Sequence, residues 1–293
     1  MRPLFIDSTG KLRYIWRAFT FFALGTWLLF PLIEHLVVLV AKPLHVRPGL
    51  SPDFIALNDS ADLVVAFVCT GIFALYEHRR MDSYGLLLHQ AFGRRTFEGA
   101  ISGIVATAAV AVGMIVLGGM HINGFSATGG SVAVWAFAWL GANILIGLSE
   151  ELWWRSYLQQ TLWKSIGFWP ASIVIATLFT ADHYFFKTGE NVWDVITLMS
   201  LSLLLSYSVL RTGTLWFAVG FHAAFDYMQL FVIGTPNGFR LPVGRLLDVR
   251  FDGPAWLTGG ALGTEASFLM YPVIAALCLY VRWRYRASTP LLA

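Results

Sequence analysis

Long apolar runs separated by short polar clusters recur along this chain. A helix needs about 20 apolar residues to cross the hydrocarbon core of a bilayer. The pattern predicts about eight such helices. They fall at roughly 17–41 and 60–78, two in the stretch that begins near residue 100, and then at 167–186, 193–211, 214–233 and 265–283. The first contains Pro31 and Glu34, and Glu34 either joins an interior cavity or marks the outer end of that helix. The second has only a short charge-free core, Leu63 to Tyr76. Residues 100–149 contain no Asp, Glu, Lys or Arg. That stretch must hold two spans, and His121-Ile122-Asn123-Gly124 with Gly129-Gly130 offers turn chemistry between them. The fourth span then runs on through two glutamates. The expected fold class is all-α, a polytopic helical membrane bundle forming a single membrane-embedded domain over 1–293, with no internal repeat.

Composition supports this reading. The chain of 293 residues is 57% hydrophobic and 13% charged, with a mean hydropathy of +0.65, whereas soluble domains average about 25% charged residues. The net charge of +3 is small and no basic run suggests a nucleic-acid partner. Instead the basic residues report orientation. With the N-terminus inside, 14 of the 20 Lys and Arg residues fall on the cytoplasmic side. Among them are Arg79, Arg80, Arg94, Arg95, Arg282, Arg284 and Arg286, so both termini are expected to be cytoplasmic. Segment 234–262 falls outside yet holds Arg240, Arg245 and Arg250. It is rich in Gly and Pro, and part of it could re-enter the bundle. Trp153, Trp154, Trp163 and Trp169 cluster where an interfacial aromatic belt is expected. Cys69 and Cys278, each in an apolar segment, are expected to be buried free thiols.

Candidate chemistry is confined to three polar motifs inside these spans: Glu150-Glu151-Leu152-Trp153-Trp154-Arg155, Phe179-Thr180-Ala181-Asp182-His183, and His222-Ala223-Ala224-Phe225-Asp226. Ionisable groups in a bilayer are costly and usually face the bundle interior. Residues four apart share a helix face. Glu151 and Arg155 are thus set to pair, leaving Glu150, about 100° round the helix, to enter a cavity. His222 and Asp226 are also four apart, as a ligand pair or a carboxylate-oriented imidazole. Asp182 points away from His183. No Ser or Cys stands beside a base as a nucleophile, so activated water is the natural attacking group. A carboxylate in a site of low dielectric can serve as base and then acid.

In this order and spacing, the motifs resemble the CAAX protease and bacteriocin-processing (Abi) family of intramembrane endopeptidases, with its pattern EExxxR, FxxxH and HxxxN or HxxxD. The resemblance covers about 130–233. Thr258 to Glu265 has the flavour of some bacterial members. The resemblance implies hydrolysis of a peptide bond in a membrane-associated peptide or protein, by an integral protein of a bacterial cytoplasmic membrane. It assigns water activation to Glu150 with help from His183. Glu151 and Arg155 would hold the glutamate in place, and His222 and Asp226 would bind the oxyanion or a metal. Where several members carry Asn, this chain has Asp226, and an ionised Asp only accepts hydrogen bonds. His183, His222, Glu150 and Asp226 are also a candidate zinc set with an open position for water, although no HExxH helix is present. Glutamate and metal catalysis both stay open. So do a non-catalytic scaffold or regulator of the same family and a proton-coupled transporter; the oligomeric state is not legible.

Simple counting along straight helices separates the motifs in depth. Glu150 falls toward the inner end of span four, His183 toward the outer end of span five, and His222 partway along span seven. For the three to meet, span five should begin later or dip less deeply.

Overall fold

The structure, a computed structural model, describes residues 2–46, 49–186, 188–189, 191–238 and 240–285; Arg286 lies outside them. Apolar length sets the architecture. α1 (Tyr14–Ala41), α2 (Pro52–Glu77), α3 (Arg94–Val116), α4 (Ser131–Ile166), α5 (Phe168–Phe186), α6 (Val192–Thr212), α7 (Trp216–Ile233) and α8 (Met270–Arg284) form a helical bundle. Among the described residues seven helical segments are long and apolar enough to cross a membrane. α5 is not among the seven. Its 19 residues suffice in length, but Asp182 and His183 lower its apolarity.

Two spans are longer than the apolar pattern indicates. α2 begins at Pro52 rather than near 60, because Asp53, Asn58 and Asp59 interrupt the apolar pattern of its first two turns and Pro at a first helical position is favourable. α4 runs to Ile166, past the glutamates, through a π-helical turn at Trp154–Leu158. Such turns recur at functional sites, and α7 ends in another, Met228–Ile233.

α7 is the most enclosed span, with 67% of its apolar window buried, against 11% for the peripheral α1. It is held by backbone-close contacts. A Cβ on Gly99 or Gly103 of α3 would collide with the backbone of Phe217 or Phe221 on α7, and one on Gly220 with the Thr96 carbonyl. Gly147 of α4 makes the same kind of approach to Val219. Spans in lipid associate through such small residues, because lipid chains remove the hydrophobic drive between helices.

An all-α reading misses one element. β1 (Met120–Phe125) pairs antiparallel with β2 (Leu247–Phe251), from Met120 opposite Phe251 to Phe125 opposite Leu247. His121 to Gly124 is therefore strand rather than turn, and the chain reverses instead around Gly118-Gly119 and Gly129-Gly130. This ribbon puts the α3–α4 and α7–α8 connections at one end of the bundle. The start of α2 joins them through the Val243 N–H to Leu50 carbonyl bond of 2.9 Å. The opposite end gathers both described chain ends. Arg17 pairs with Glu77 at 3.1 Å, and Arg284 with Glu98 at 2.7 Å.

The tryptophans divide. Trp169 is exposed and Trp163 half-buried, but Trp153 and Trp154 are core residues, each 5% exposed. Trp153 stacks on Phe21 and meets Phe30 edge-on, and Trp154 meets Phe179 edge-on. The interfacial role expected for that pair is thus wrong. They lie mid-helix, because α4 continues for three turns beyond them. Cys69 is buried and Cys278 half-buried, both free.

Candidate active site

The motif helices converge because α4 and α5 form a hairpin at Gly167. Glu151 lies nearly as far before that turn as His183 lies after it, so antiparallel packing brings them level. Gln159 Nε2 donates to Ser172 Oγ at 3.2 Å, and further along the pair Arg155, one turn from Gln159, lies over Phe179, two turns from Ser172. The depth mismatch found by counting disappears for this reason. Span five begins where the sequence placed it; the length of α4 beyond the glutamates makes up the difference.

At the centre is Glu151, fully buried. Arg155 Nη1 donates to its Oε1 at 2.8 Å, and both side chains are 0% exposed. His222 Nδ1 lies 2.8 Å from the same oxygen. A carboxylate only accepts, so this Nδ1 carries the proton and Nε2 is the nitrogen presented to the cavity. There it faces Asp226 Oδ2 at 3.5 Å and Glu150 Oε2 at 3.7 Å. Arg155 Nη2 donates to Ser202 Oγ of α6 at 2.8 Å. Its guanidinium sits 4.9 Å from the Phe179 ring centroid, whose other neighbour is His183, 4.4 Å between centroids. His183 Nδ1 lies 3.1 Å from the Phe179 carbonyl oxygen, for which it is the donor. Phe179 thus spaces the arginine from the second histidine, a physical role for the aromatic in FxxxH.

A cavity of about 260 Å³ adjoins this cluster. Glu150, Arg155, His183, His222 and Asp226 all line it, while Glu151 lies behind His222. The structure therefore brings all six candidate residues together, five at the cavity and one supporting them. Asp182 is exposed, as expected from its place next to His183, and the exposed Glu34 does not reach the cavity. Thr235, Pro236, Asn237, Leu262 and Glu265 do line it, so the Gly- and Pro-rich segment re-enters the bundle.

Sequence reasoning missed three contributors. Asp59 of α2 lines the cavity and accepts from Ser149 Oγ at 2.9 Å. It fell outside the span drawn from residue 60, and an aspartate pair, Asp59 and Asp62, beside an apolar run was the available signal. Ser202 and Gln229 also line the cavity. Both are uncharged, and nothing in their local sequence marks them.

Among the described residues no three His, Cys, Asp or Glu side chains are placed as a metal-ligand group.

Fold and cluster together define a polytopic helical membrane protein with a buried acid–histidine site. Residues 132–228 match the family model described as type II CAAX prenyl endopeptidase Rce1-like. About a third of the chain is thus similar to the CAAX endopeptidase family, and the match falls on the helices that carry all three motifs. No curated protein matches the chain.

Proposed function

We propose that this protein is an intramembrane endopeptidase that cleaves a membrane-associated peptide or protein with water activated by Glu150. The observation that carries the reading is His222, clamped through Nδ1 to a buried glutamate and presenting Nε2 to Glu150 and Asp226 in a cavity. Glu150 takes a proton from water as the water oxygen bonds to the scissile carbonyl carbon. His183, across the cavity, helps orient that water. The carbonyl oxygen gains the negative charge, and a protonated His222 Nε2 donates to it. Glu150 then returns its proton to the amine nitrogen as the C–N bond breaks, leaving a carboxylate and an amine. Glu151 and Arg155 fix the imidazole, and Asp226 stabilises its charged form across 3.5 Å. No step is routed through a metal. The concentration of Lys and Arg at the end holding Arg17 and Arg284 supports a cytoplasmic orientation of that end.

The test is cleavage of a quenched peptide library by purified protein, wild type beside Glu150→Gln, with and without chelator. General acid–base groups contribute about 10²- to 10⁴-fold. A loss of that size in Glu150→Gln, with no effect of chelator, is expected. Activity lost to chelator would replace the water-activation scheme by a metal-dependent one, and full activity of Glu150→Gln would remove Glu150 from it.

A further inference from the structure

The cavity carries several acceptors, and its guanidinium, that of Arg155, already directs Nη1 and Nη2 to Glu151 and Ser202. Asp59, Glu150 and Asp226 all line it, and as carboxylates they cannot donate. Attack on a peptide carbonyl builds charge on its oxygen, and pre-aimed N–H or O–H groups are what stabilise that charge. His222 can present one N–H. Gln229 is the further group whose placement answers this need.

Gln229 follows Asp226 by three residues and His222 by seven, so the three share a face of α7. Its side chain lines the cavity yet is nearly buried, 4% exposed. Oε1 accepts from Thr264 Oγ1 at 2.8 Å. The carboxamide NH2, with two N–H donors, is left to the cavity; among the described residues it makes no hydrogen bond. The reverse amide orientation would turn Oε1 toward the carboxylates and is opposed by their charge. The main chain is fixed too, since the Gln229 carbonyl accepts from the Thr235 N–H at 2.9 Å. A donor held at both ends costs no reorganisation when charge develops. Asn237, the other amide on the cavity, sits on a loop and among the described residues has no comparable side-chain anchor.

We propose that the Gln229 carboxamide is a second donor to the oxyanion, aimed by the Thr264 hydroxyl. It donates a hydrogen bond and transfers no proton. The assignment rests on the endopeptidase reading and gives the re-entrant segment 260–266 a positioning role.

The experiment is steady-state cleavage of one fluorogenic peptide by the full-length protein, with Gln229→Leu, Thr264→Val and Thr264→Ser. Loss of an oxyanion donor lowers kcat about 100-fold, so Gln229→Leu should lose about that much kcat with KM within about threefold. Thr264→Val should show a smaller kcat loss, and Thr264→Ser, which keeps the hydroxyl, should restore it. A peptide aldehyde, bound as the hydrate formed when water adds to its carbonyl, should weaken in step with kcat, because the tetrahedral hydrate samples the transition-state contacts. If Gln229→Leu fails to fold, the Thr264 pair carries the same comparison. Unchanged kcat in the folded variants, or a change confined to KM, overturns the proposal. Glu150→Gln runs alongside. An inactive Glu150→Gln with an active Gln229→Leu sinks only the donor role. A wild type that cleaves nothing, or a Glu150→Gln as active as wild type, sinks the endopeptidase reading and the donor role with it.

Discussion

Arg155→Met would remove a positive charge from the centre of the molecule with little change in volume. In the native protein Arg155 is fully buried and makes two hydrogen bonds, to Glu151 and Ser202, both 2.8 Å. It also stacks over Phe179. In the variant, Glu151 keeps only His222, and its second oxygen, Oε2, is buried without a hydrogen bond even in the native protein. Each hydrogen bond to a charged group is worth about 1.5–3 kcal/mol. Removing one member of a buried ion pair costs about 3–5 kcal/mol, because the other charge is stranded. We therefore expect Arg155→Met to destabilise the protein by about 4 kcal/mol. Glu151→Met should cost a similar amount, stranding Arg155 instead. The double variant Arg155→Met/Glu151→Met buries no unpaired charge at these positions and should be at least about 2 kcal/mol more stable than the sum of the single costs predicts, within the range of coupling seen for contacting residues. Unfolding by SDS in mixed micelles gives all three values. A loss below about 1 kcal/mol for Arg155→Met, or simple additivity in the double variant, would refute the reasoning. Cleavage should be lost in every one of these variants, since each one loosens His222.

Two further expectations concern packing and the newly found aspartate. Gly220→Ala should cost about 1–3 kcal/mol, the usual price of overpacking, because the added methyl meets the Thr96 carbonyl. Gly141→Ala, with open space around its Cβ position, should cost nothing in the same SDS titration. Equal effects at the two glycines would remove the close α3–α7 approach as the cause. Ser149→Ala should cost about 1.5–3 kcal/mol through its hydrogen bond to Asp59. It should cost almost nothing more in an Asp59→Ala background; full additivity of the two would show that the pair is not coupled.

Much of the candidate site was legible because its pairings lie within single helices. Glu151 with Arg155, and His222 with Asp226, are four residues apart, and helical geometry alone brings them together. The glycine- and proline-rich segment was legible as an irregular stretch near the bundle. What was not legible has common causes. Asp59 lies in the aspartate-containing first turns of α2, which a search for charge-free cores discards. Hydropathy cannot tell a tryptophan in a membrane interface from one in a protein core, so Trp153 and Trp154 were misplaced. The β-ribbon joins two short strands far apart in sequence, with no local pattern to announce the pairing. Gln229 is neutral and matters only through its neighbours.

By itself the sequence determined that the chain is a helical membrane bundle, which ionisable residues lie within its spans as candidates, and the pairings one helical turn apart. These follow from apolar length, the cost of charge in lipid, and the fixed rotation per residue. Only the tertiary structure decided that Glu151 serves Arg155 and His222 at once, that Ser202 and Asp59 reach the same centre, and that Glu150 and His183 lie at one depth. Those contacts join different helices. They depend on where α4 turns at Gly167 and on how closely glycines let α3, α4 and α7 approach, and no periodicity within a single helix encodes either.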